Sequence, residues 1–361
     1  TRNAVLEPMI PPQFRLESYR YQLPPDQIAQ RPLASRSASR LLIVDRKKGV
    51  TGHAHFADLP SHLRPGDCLV INDTRVVPAR LFATKPSGGL VELLFVRQEG
   101  PQFVALYKTH RGLQPGTRLT LLDREHQPTP QAVQLVHTDA DGTATFQPLG
   151  SALPMDLLAA FGHVPLPPYI HRPDEAMHDL DSERYQTVYA HLDGSVAAPT
   201  AGLHFTSDLL ERLEAMGVQT CRVTLHVGPG TFRPIKTPDI RQHDVGIEMF
   251  TIPADTATIL NAAIEEGRRV IAVGTTVVRT LETAGMGGRL VAGGGSTRLF
   301  VCPGFTFRIV SGMVTNFHLP GSSLLALVSA FAGRTRMMSA YRLAVREGYR
   351  FYSYGDAMFI A

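Results

Sequence analysis

Three histidines in this 361-residue sequence stand where side chains often do chemistry. His204 lies in a stretch of small residues, His226 ends an alternating apolar run, and His318 precedes a bend rich in glycine and serine. An imidazole exchanges a proton near neutral pH without large tuning, so each is a candidate general base or acid. A single histidine is more often structural, but three in such positions predict that at least one is catalytic.

Residues 185–206 are the stretch around which the rest of the chain is organised. The stretch is poor in charge, rich in small residues and interrupted by Pro199 and Gly202, so it predicts neither a regular helix nor an alternating strand. It runs directly into a helix predicted over residues 207–216. Backbone N–H groups at a helix N-terminus are free to hold a ligand. A ligand-binding loop and a buried structural loop both fit this spacing.

Glycine bends follow two further strand-like runs, at residues 228–232 and 274–276. A strand, a glycine turn and a helix in succession are typical of a parallel sheet that binds ligands at its strand ends. If Thr275 or Thr276 caps the second helix, Arg279 lies near its start, where the helix dipole disfavours a cation. An anionic ligand would remove this conflict, and an ion pair with Glu282 is the alternative.

The residues between about 64 and 149 differ in texture from the rest of the chain. Short β-type runs, the first of them at residues 68–72, alternate with glycine and proline turn signals. This pattern predicts a small antiparallel barrel. The chain length suggests two domains, or one large domain with an insertion, and the region after residue 165 is predicted to be α/β.

The charge of the chain is mild and locally clustered. A net charge of +4 implies that a polyanion would be held by clusters and not by a global field. Basic groups occur at residues 31–48 and 334–350, the second beside the aromatic residues of 349–354. Arginines beside aromatic rings suit phosphate contact and base stacking in RNA recognition, and they suit a packed C-terminal strand equally well.

Cysteine spacing and hydropathy give further expectations. Three widely separated cysteines without a CxxC pair predict reduced thiols and a cytoplasmic protein. No apolar run approaches the ~20 residues that span a membrane, so no membrane partner is expected. His53 and His55 would share one face of a strand, but no cysteine or carboxylate cluster accompanies them, so no metal site is predicted.

Several motifs together resemble the S-adenosylmethionine:tRNA ribosyltransferase-isomerase family of queuosine biosynthesis. The resemblance extends from about Phe14 to the C-terminus. The motifs are, in chain order, Leu23-Pro24 with Ile28-Ala-Gln30, Ser39-Arg-Leu-Leu42, Asn72-Asp-Thr-Arg75 with Pro78-Ala-Arg80, residues 185–206, His226-Val-Gly-Pro-Gly-Thr-Phe232, Val273-Gly-Thr-Thr-Val-Val-Arg279, Thr315-Asn-Phe-His-Leu-Pro320 and residues 349–358. Residues 293–299 depart from the family pattern, which leaves the contacts of that loop open.

The resemblance implies a fold and a reaction. The fold class is α/β: an α/β sandwich domain at residues 14–63 and 150–361, with a small antiparallel β-barrel inserted at 64–149. Residues 1–13 are expected to be a disordered or extended N-terminal extension. The implied enzyme is a transferase-isomerase that moves the ribosyl part of S-adenosylmethionine, a co-substrate, onto 7-aminomethyl-7-deazaguanine at the wobble position of tRNA. Epoxyqueuosine-tRNA, adenine and methionine are the expected products, and no metal is expected.

Site residues follow from the resemblance and from the motifs. The sulfonium acidifies the adjoining ribose methylene, so a base removes a proton and adenine departs. The expected catalytic residues are His204, His226, His318 and Asp356. The expected cofactor-binding residues are Ser195, Ala198, Thr200, Phe205, Thr206, Gly228, Gly230, Thr231, Phe232, Gly274, Thr275, Thr276 and Arg279. The expected tRNA-binding or base-binding residues are Arg36, Arg40, Arg75, Arg334, Arg336, Tyr352 and Tyr354.

Two other functions use the same features. Methyl transfer is the usual role of this co-substrate, but no glycine-rich loop follows a first strand with an acidic residue on the next strand. A non-catalytic RNA-binding protein would use the barrel and the basic clusters, yet the recognisable motifs lie in the small-residue loops. The protein is expected to be a monomer or a weak oligomer.

Overall fold

The structure, a computed structural model, describes residues 10–140, 142–172, 178–228, 230 and 234–361. Its strands are β1 (Arg40–Asp45), β2 (Gly49–His55), β3 (Cys68–Asn72), β4 (Thr74–Val76), β5 (Arg80–Thr84), β6 (Leu90–Glu99), β7 (Gln102–Lys108), β8 (Arg118–Leu122), β9 (Pro128–Thr138), β10 (Thr143–Leu149), β11 (Leu192–Ser195), β12 (Gln219–Leu225), β13 (Glu248–Ile252), β14 (Val270–Val273), β15 (Gly293–Thr297), β16 (Gly312–Asn316) and β17 (Ala357–Ile360). The helices are α1 (Pro154–Phe161), α2 (His178–Arg184), α3 (Ser207–Ala215), α4 (Ala254–Glu265), α5 (Thr275–Ala284), α6 (Ser323–Ala332) and α7 (Arg334–Arg346).

One large sheet organises most of the described chain. Its strand order is β15-β13-β12-β3-β14-β16-β17-β1-β2. The central strands β12, β3, β14 and β16 run parallel to one another. β13 and β15 extend the sheet antiparallel on one side, and β17 joins β16 antiparallel on the other. Parallel strands end at the same edge of a sheet, so the loops after the four central strands emerge together.

Both faces of the sheet are covered, which makes the domain an α/β sandwich. Alternate residues of β3 enter different cores: Cys68 and Val70 pack with helices α4 to α7, whereas Leu69 and Ile71 pack with helix α3. Burial on both faces explains why β3 and β14 are continuous apolar runs without alternation. The predicted fold class is confirmed.

Strands β5 to β10 close into a barrel in the order β10-β7-β6-β5-β8-β9. Their inward residues, among them Leu81, Val91 and Leu93, form a separate core. Alternating burial along β6 fits a strand with one face inside the barrel and one outside. The predicted antiparallel barrel is therefore present.

One strand that the sequence assigns to the barrel lies elsewhere. Residues 68–72 form β3, at the centre of the large sheet. β4 is also outside the barrel and pairs in parallel with β11. A short apolar run has the same appearance in either setting, so periodicity alone does not separate them. Of the expected extension, residues 1–9 lie outside the described residues, and Pro12–Phe14 form a turn of 3-10 helix.

Candidate active site

A cavity of about 250 Å³ opens at the edge where the central parallel strands end. Its wall comes from the turn between β14 and α5 (Gly274, Thr275 and Thr276), the end of β16 with the loop after it (residues 315–322), and parts of residues 198–201 and 352–353. Tyr169 completes one side. Small-residue bends that are far apart in sequence thus meet in one cleft, as the strand-end argument predicts.

Helix α5 begins at this cavity. Gly274 is its N-cap residue, so the expectation that Thr275 or Thr276 caps the helix is wrong. Gly274 has φ 92° and ψ 157°, a conformation that side chains with a Cβ rarely adopt. The glycine lets the chain turn sharply from β14 into α5, so the first residues of the helix, whose N–H groups have no partner within the helix, line a ligand-sized space. Thr276 is held by Asn72, whose Nδ2 lies 3.4 Å from its Oγ1.

Five residues of the stretch 185–206 are expected to bind the co-substrate, of which two line the cavity and three do not. Ala198 and Thr200 line the cavity, on either side of the start of a 3-10 helix at Thr200–His204. Ser195 is buried, where its hydroxyl accepts from Val227 N at 2.8 Å and donates to Ala197 O at 2.8 Å. Phe205 is in the core, and Thr206 caps helix α3 through Leu209 N. These last three positions support the loop and do not line the cavity.

His318 is the one histidine of the three candidates that lines the cavity. Its Nε2 lies 2.8 Å from Thr315 Oγ1, and its main chain is fixed by Tyr341 and Tyr21. Burial lowers the pKa of the imidazole to about 3. At neutral pH the ring is therefore uncharged, which is the state that accepts a proton.

His204 does not line this cavity, and it borders a separate, smaller hollow together with Arg36 and Ser39. Its Nδ1 is 2.7 Å from Ser39 Oγ, and its Nε2 is 3.1 Å from Asn316 Nδ2. Phe56 stacks on the ring, with 4.9 Å between the ring centroids. Burial, with the nearby positive charges of Arg350 and Arg36, lowers its pKa to about 3.

His226 lies in a different region. It lines a shallower hollow at the β12, β13 and β15 side of the sheet. Its Nδ1 is 2.8 Å from Thr74 Oγ1. A Cβ on Gly194 would lie 2.8 Å from the ring, so only glycine fits there. Burial lowers the pKa of His226, and the negative charges of Asp73 and Asp193 act in the opposite direction.

Asp356 holds two main-chain segments together. Its carboxylate oxygens accept from Arg40 N and Arg350 N, both at 2.8 Å. Burial raises its pKa, and these two hydrogen bonds oppose the rise. The carboxylate does not line the cavity. Its position is that of a structural brace.

Arg279 forms a buried ion pair with Glu248 of strand β13. Its Nε also donates to Leu299 O at 3.1 Å. The expected alternative, a pair with Glu282, is wrong, because that carboxylate accepts from the main-chain N–H groups of residues 308–310. Arg279 does not line the cavity, and its positive charge is balanced by the carboxylate of Glu248.

The loop after β12 flanks the cavity at Val227 and Pro234. Gly228 N lies 3.3 Å from Glu248 Oε1, and a Cβ on Gly230 would lie 3.1 Å from Val245 O. Neither glycine lines the cavity. Thr231 and Phe232 lie outside the described residues.

The two tyrosines expected to stack on a base are separated. Tyr352 lines the cavity, and its ring centroid is 4.6 Å from that of Tyr169. Its φ of 72° is unusual for a residue other than glycine. Tyr354 is turned away from the cavity and donates to Asp181 Oδ1 at 3.0 Å.

The expected tRNA-binding arginines differ in how far their guanidinium groups are already engaged in contacts within the protein. Arg36 donates to Leu203 O and Glu183 O, both at 3.1 Å, and Arg40 lies over the ring of Tyr349 at 3.6 Å. Arg75 is exposed and lies 3.8 Å from Asp193. Arg336 is exposed and donates to Lys47 O at 2.9 Å, and Arg334 is half-buried.

Asn316 and Tyr169 line the cavity although neither is among the residues expected to form the site. Asn316 stands in the motif Thr315-Asn-Phe-His, at the last position of a buried strand. A polar amide at the carboxyl end of an apolar strand is the signal that could have indicated it. Tyr169 ends a proline-rich segment, and nothing in the local sequence relates it to a site.

A metal centre and a membrane-spanning helix are two other kinds of feature, and the described ranges contain neither. Among them, no three His, Cys, Asp or Glu side chains are grouped as metal ligands. No helix within the same ranges is long and apolar enough to cross a membrane.

Comparison with known proteins bears on this cavity and its motifs. Residues 16–360 match the family model described as "Queuosine biosynthesis protein". A protein of Thermus thermophilus named "S-adenosylmethionine:tRNA ribosyltransferase-isomerase" is 52% identical over 352 residues, covering 96% of this chain and 99% of its own length. A protein of the same name from Syntrophomonas wolfei is 48% identical over 349 residues, covering 96% and 97%.

A solved structure agrees with these relatives. The crystal structure of S-adenosylmethionine tRNA ribosyltransferase from Thermotoga maritima is 34% identical, with a TM-score of 0.53, covering 95% of this chain and 100% of that one. The match extends over the sheet, the barrel and the motif loops alike. The chain belongs to the queuosine biosynthesis protein family and is an enzyme of the transferase-isomerase class.

Proposed function

We propose that this protein transfers and isomerises the ribosyl part of S-adenosylmethionine onto 7-aminomethyl-7-deazaguanine at the wobble position of a tRNA. The products are epoxyqueuosine-tRNA, adenine and methionine. The observation that carries the proposal is the convergence of Gly274–Thr276, residues 315–322 and residues 198–201 on one cavity in a member of this family. Ala198, Thr200, Gly274, Thr275 and Thr276 then bind the co-substrate.

His318 is the base in this proposal. It is the one of the three candidate histidines that lines the cavity, and in this proposal its Nε2–H donates to Thr315 Oγ1 at 2.8 Å, which leaves the lone pair of Nδ1 to take a proton. It takes a proton from the ribose methylene beside the sulfonium, and adenine leaves. The neutral aminomethyl nitrogen of the modified base then bonds to the ribosyl carbon and gives up a proton, and methionine leaves as the carbon–sulfur bond breaks on closure of the epoxide.

The tRNA approaches the same edge of the sheet with its anticodon. The flipped-out base enters the same cavity beside the co-substrate. Tyr352, which lines the cavity beside Tyr169, offers a ring on which adenine or that base stacks. Exposed Arg75 and Arg336 contact phosphates. The enzyme works as a cytoplasmic monomer or weak oligomer. We place the inserted barrel at residues 80–149, because β5 is its first strand in the described chain.

The decisive experiment incubates the protein with S-adenosylmethionine and tRNA that carries the 7-aminomethyl base. Chromatography of the small molecules should show adenine and methionine in equal amounts, and digestion of the tRNA should show epoxyqueuosine. Transfer RNA without the modified base is the control and should release no adenine. Formation of S-adenosylhomocysteine instead would identify a methyltransferase, and binding without any product would favour an RNA-binding protein.

A cavity-filling variant links the activity to this cavity. Thr200→Trp places a large ring at a half-buried wall position. It should abolish co-substrate binding, measured by calorimetry with S-adenosylhomocysteine, while the melting temperature shows that the fold persists. Unchanged binding in a folded Thr200→Trp protein would place the co-substrate elsewhere.

A further inference from the structure

Asn316 is a buried amide in the wall of the cavity. Only 2% of its surface is exposed, and it stands at the end of β16. Its side chain has one acceptor oxygen and one donor nitrogen that carries two hydrogens. Which of these atoms faces the protein decides what the residue offers to a ligand.

The protein fixes the orientation of this amide. Nδ2 is 3.0 Å from the main-chain oxygen of Tyr352 and 3.1 Å from Nε2 of His204. A main-chain oxygen only accepts hydrogen bonds, so the atom facing it must be the nitrogen. Both hydrogens of Nδ2 are therefore used, one on Tyr352 and the other on His204.

The state of His204 follows from the same bonds. Nε2 accepts from Asn316, so in the neutral ring the proton is on Nδ1, which donates to Ser39 Oγ at 2.7 Å. Ser39 Oγ in turn donates to the main-chain oxygen of Arg36 at 3.3 Å. In the chain of hydrogen bonds from Asn316 through His204 to Ser39, each residue donates to the next. The last acceptor is a main-chain oxygen, which cannot donate, so the donors and acceptors cannot exchange roles. Because its lone pair is engaged, His204 is a positioning residue in this arrangement and not a base.

Asn316 Oδ1 is the polar atom of this side chain that these hydrogen bonds leave without a partner. It is fully buried, and no group of the described residues donates a hydrogen bond to it. An unsatisfied buried acceptor destabilises a protein by an amount comparable to a lost hydrogen bond, so its retention in a cavity wall indicates a ligand donor. With both hydrogens of Nδ2 committed, Asn316 can recognise a donor and not an acceptor.

The cavity residues around Asn316 limit which group of a ligand can donate a hydrogen bond to Oδ1. Asn316 bonds to Tyr352, which packs on Tyr169, and both rings line the cavity together with Phe317. Aromatic walls suit a planar heterocycle, which presents its edge to groups beside the rings. None of the described wall residues carries a carboxylate, so an ammonium group has no counter-charge there.

We propose that Asn316 Oδ1 accepts a hydrogen bond from the exocyclic amino group of the adenine ring, with His204 and Ser39 holding the amide in the orientation that permits this. Asn316 is thus a specificity-determining residue. The inference rests on the proposed function, because it needs the adenine nucleoside in this cavity. In the same pose a 6-oxopurine binds more weakly, since the oxygen at that position would face Oδ1 as a second acceptor.

The test compares two ligands that differ at one group of the purine. Calorimetry should measure binding of S-adenosylhomocysteine and of S-inosylhomocysteine, which has an oxygen in place of the amino group. The inosyl ligand should bind roughly 10- to 100-fold more weakly to the native protein, the range expected when a buried acceptor loses its donor. Equal binding of the two ligands would overturn the inference while leaving the co-substrate in the cavity. Failure of S-adenosylhomocysteine to bind at all would remove the proposed function as well.

Variants separate recognition from structure. Asn316→Leu should bind both ligands weakly and with a ratio near one. Ser39→Ala leaves the amide in place but releases the far end of the chain of bonds, so it should reduce the adenosyl-to-inosyl ratio with little change in melting temperature. Nitrogen NMR of His204 should show the neutral Nδ1–H form between pH 5 and pH 8. A ratio that survives Asn316→Leu, or an Nε2–H tautomer, would contradict the assignment.

Discussion

His318 and His226 follow strands of the same parallel set, yet the two regions around them are unlike. His318 lies in an enclosed cavity between the loops after β14 and β16, where burial lowers its pKa to about 3. His226 is half-buried beside the antiparallel strands β13 and β15, with Asp73 and Asp193 near it. In the cavity, desolvation lowers the pKa of His318 and so disfavours its charged form. Desolvation also lowers the pKa of His226, but the two nearby carboxylates partly oppose that shift.

The strand order explains the difference. β3 and β14 lie between β12 and β16 in the sheet. The loop after β12 and the loop after β16 therefore start about 14 Å apart, at a spacing of about 4.8 Å per strand. Among the described residues of the loop after β12, Val227 and Pro234 reach the cavity wall. A histidine at a strand end is therefore part of a site only when its neighbours in the sheet, and not its neighbours in sequence, also present site residues.

Exchanging each histidine for glutamine tests this comparison most strongly. His318→Gln should lower the rate of adenine release by roughly 10²- to 10⁴-fold, the usual contribution of a general base. His226→Gln should lower it by less than about 10-fold, because that ring does not line the cavity. Single-turnover adenine release with the modified tRNA measures both. The reverse order would assign the chemistry to the region of His226.

The ion pair between Arg279 and Glu248 connects the two regions, since helix α5 begins at the cavity and β13 borders His226. Glu248→Ala leaves a buried guanidinium without its carboxylate. This should reduce the free energy of unfolding by about 3–5 kcal/mol. Urea denaturation measures the change.

A surface pair supplies the matched control for that prediction. Glu265 and Arg289 are 3.5 Å apart and mostly exposed, so Glu265→Ala should change the stability by less than about 1 kcal/mol. Equal effects of the two substitutions would mean that the pair of Arg279 and Glu248 is solvated and does not tie the regions together.

How far the sequence predicts this site depends on the range of the contacts. The bend at Gly274–Thr276 was predicted because an apolar strand, a glycine and a helix follow one another locally, and the cavity contains it. The pair of Arg279 with Glu248 joins residues 31 positions apart, whereas local spacing suggested an anionic ligand or Glu282. The position of β3 depends on which strands lie beside it, which a five-residue apolar run does not encode. Local chemistry was predictable, whereas partners set by the sheet order were not.

Acid stability distinguishes the buried histidines from the half-buried one. His318 has a pKa of about 3 in the folded protein, against about 6.5 in an unfolded chain. The unfolded state therefore binds more protons as the pH falls below about 6.5, and stability that is complete above that pH is lost towards pH 3. The loss for each such histidine is about 1.4 kcal/mol per pH unit.

The measurement is the free energy of unfolding between pH 7 and pH 5 in native, His318→Gln and His226→Gln proteins. The slope should be shallower in His318→Gln than in His226→Gln, where two carboxylates oppose the shift in pKa. His204 provides a second buried histidine with the same pKa of about 3, although Arg36 and Arg350 add to its shift. Identical slopes in all three proteins would show that the cavity histidine is not desolvated.

The smallest effect is expected at the exposed arginines that are proposed to contact tRNA phosphates. Arg336→Ala removes a charge that is held only by main-chain oxygens, at Lys47 and Ala332, among its described hydrogen bonds. It should weaken all tRNAs alike and lower the slope of log binding constant against log salt by about one unit. Binding at several salt concentrations measures this, with Arg346→Ala as control, because Arg346 lies beside Glu347 at 3.4 Å. An unchanged slope in Arg336→Ala would place the phosphate backbone elsewhere, since a contact with one phosphate releases its counterion whatever the tRNA sequence.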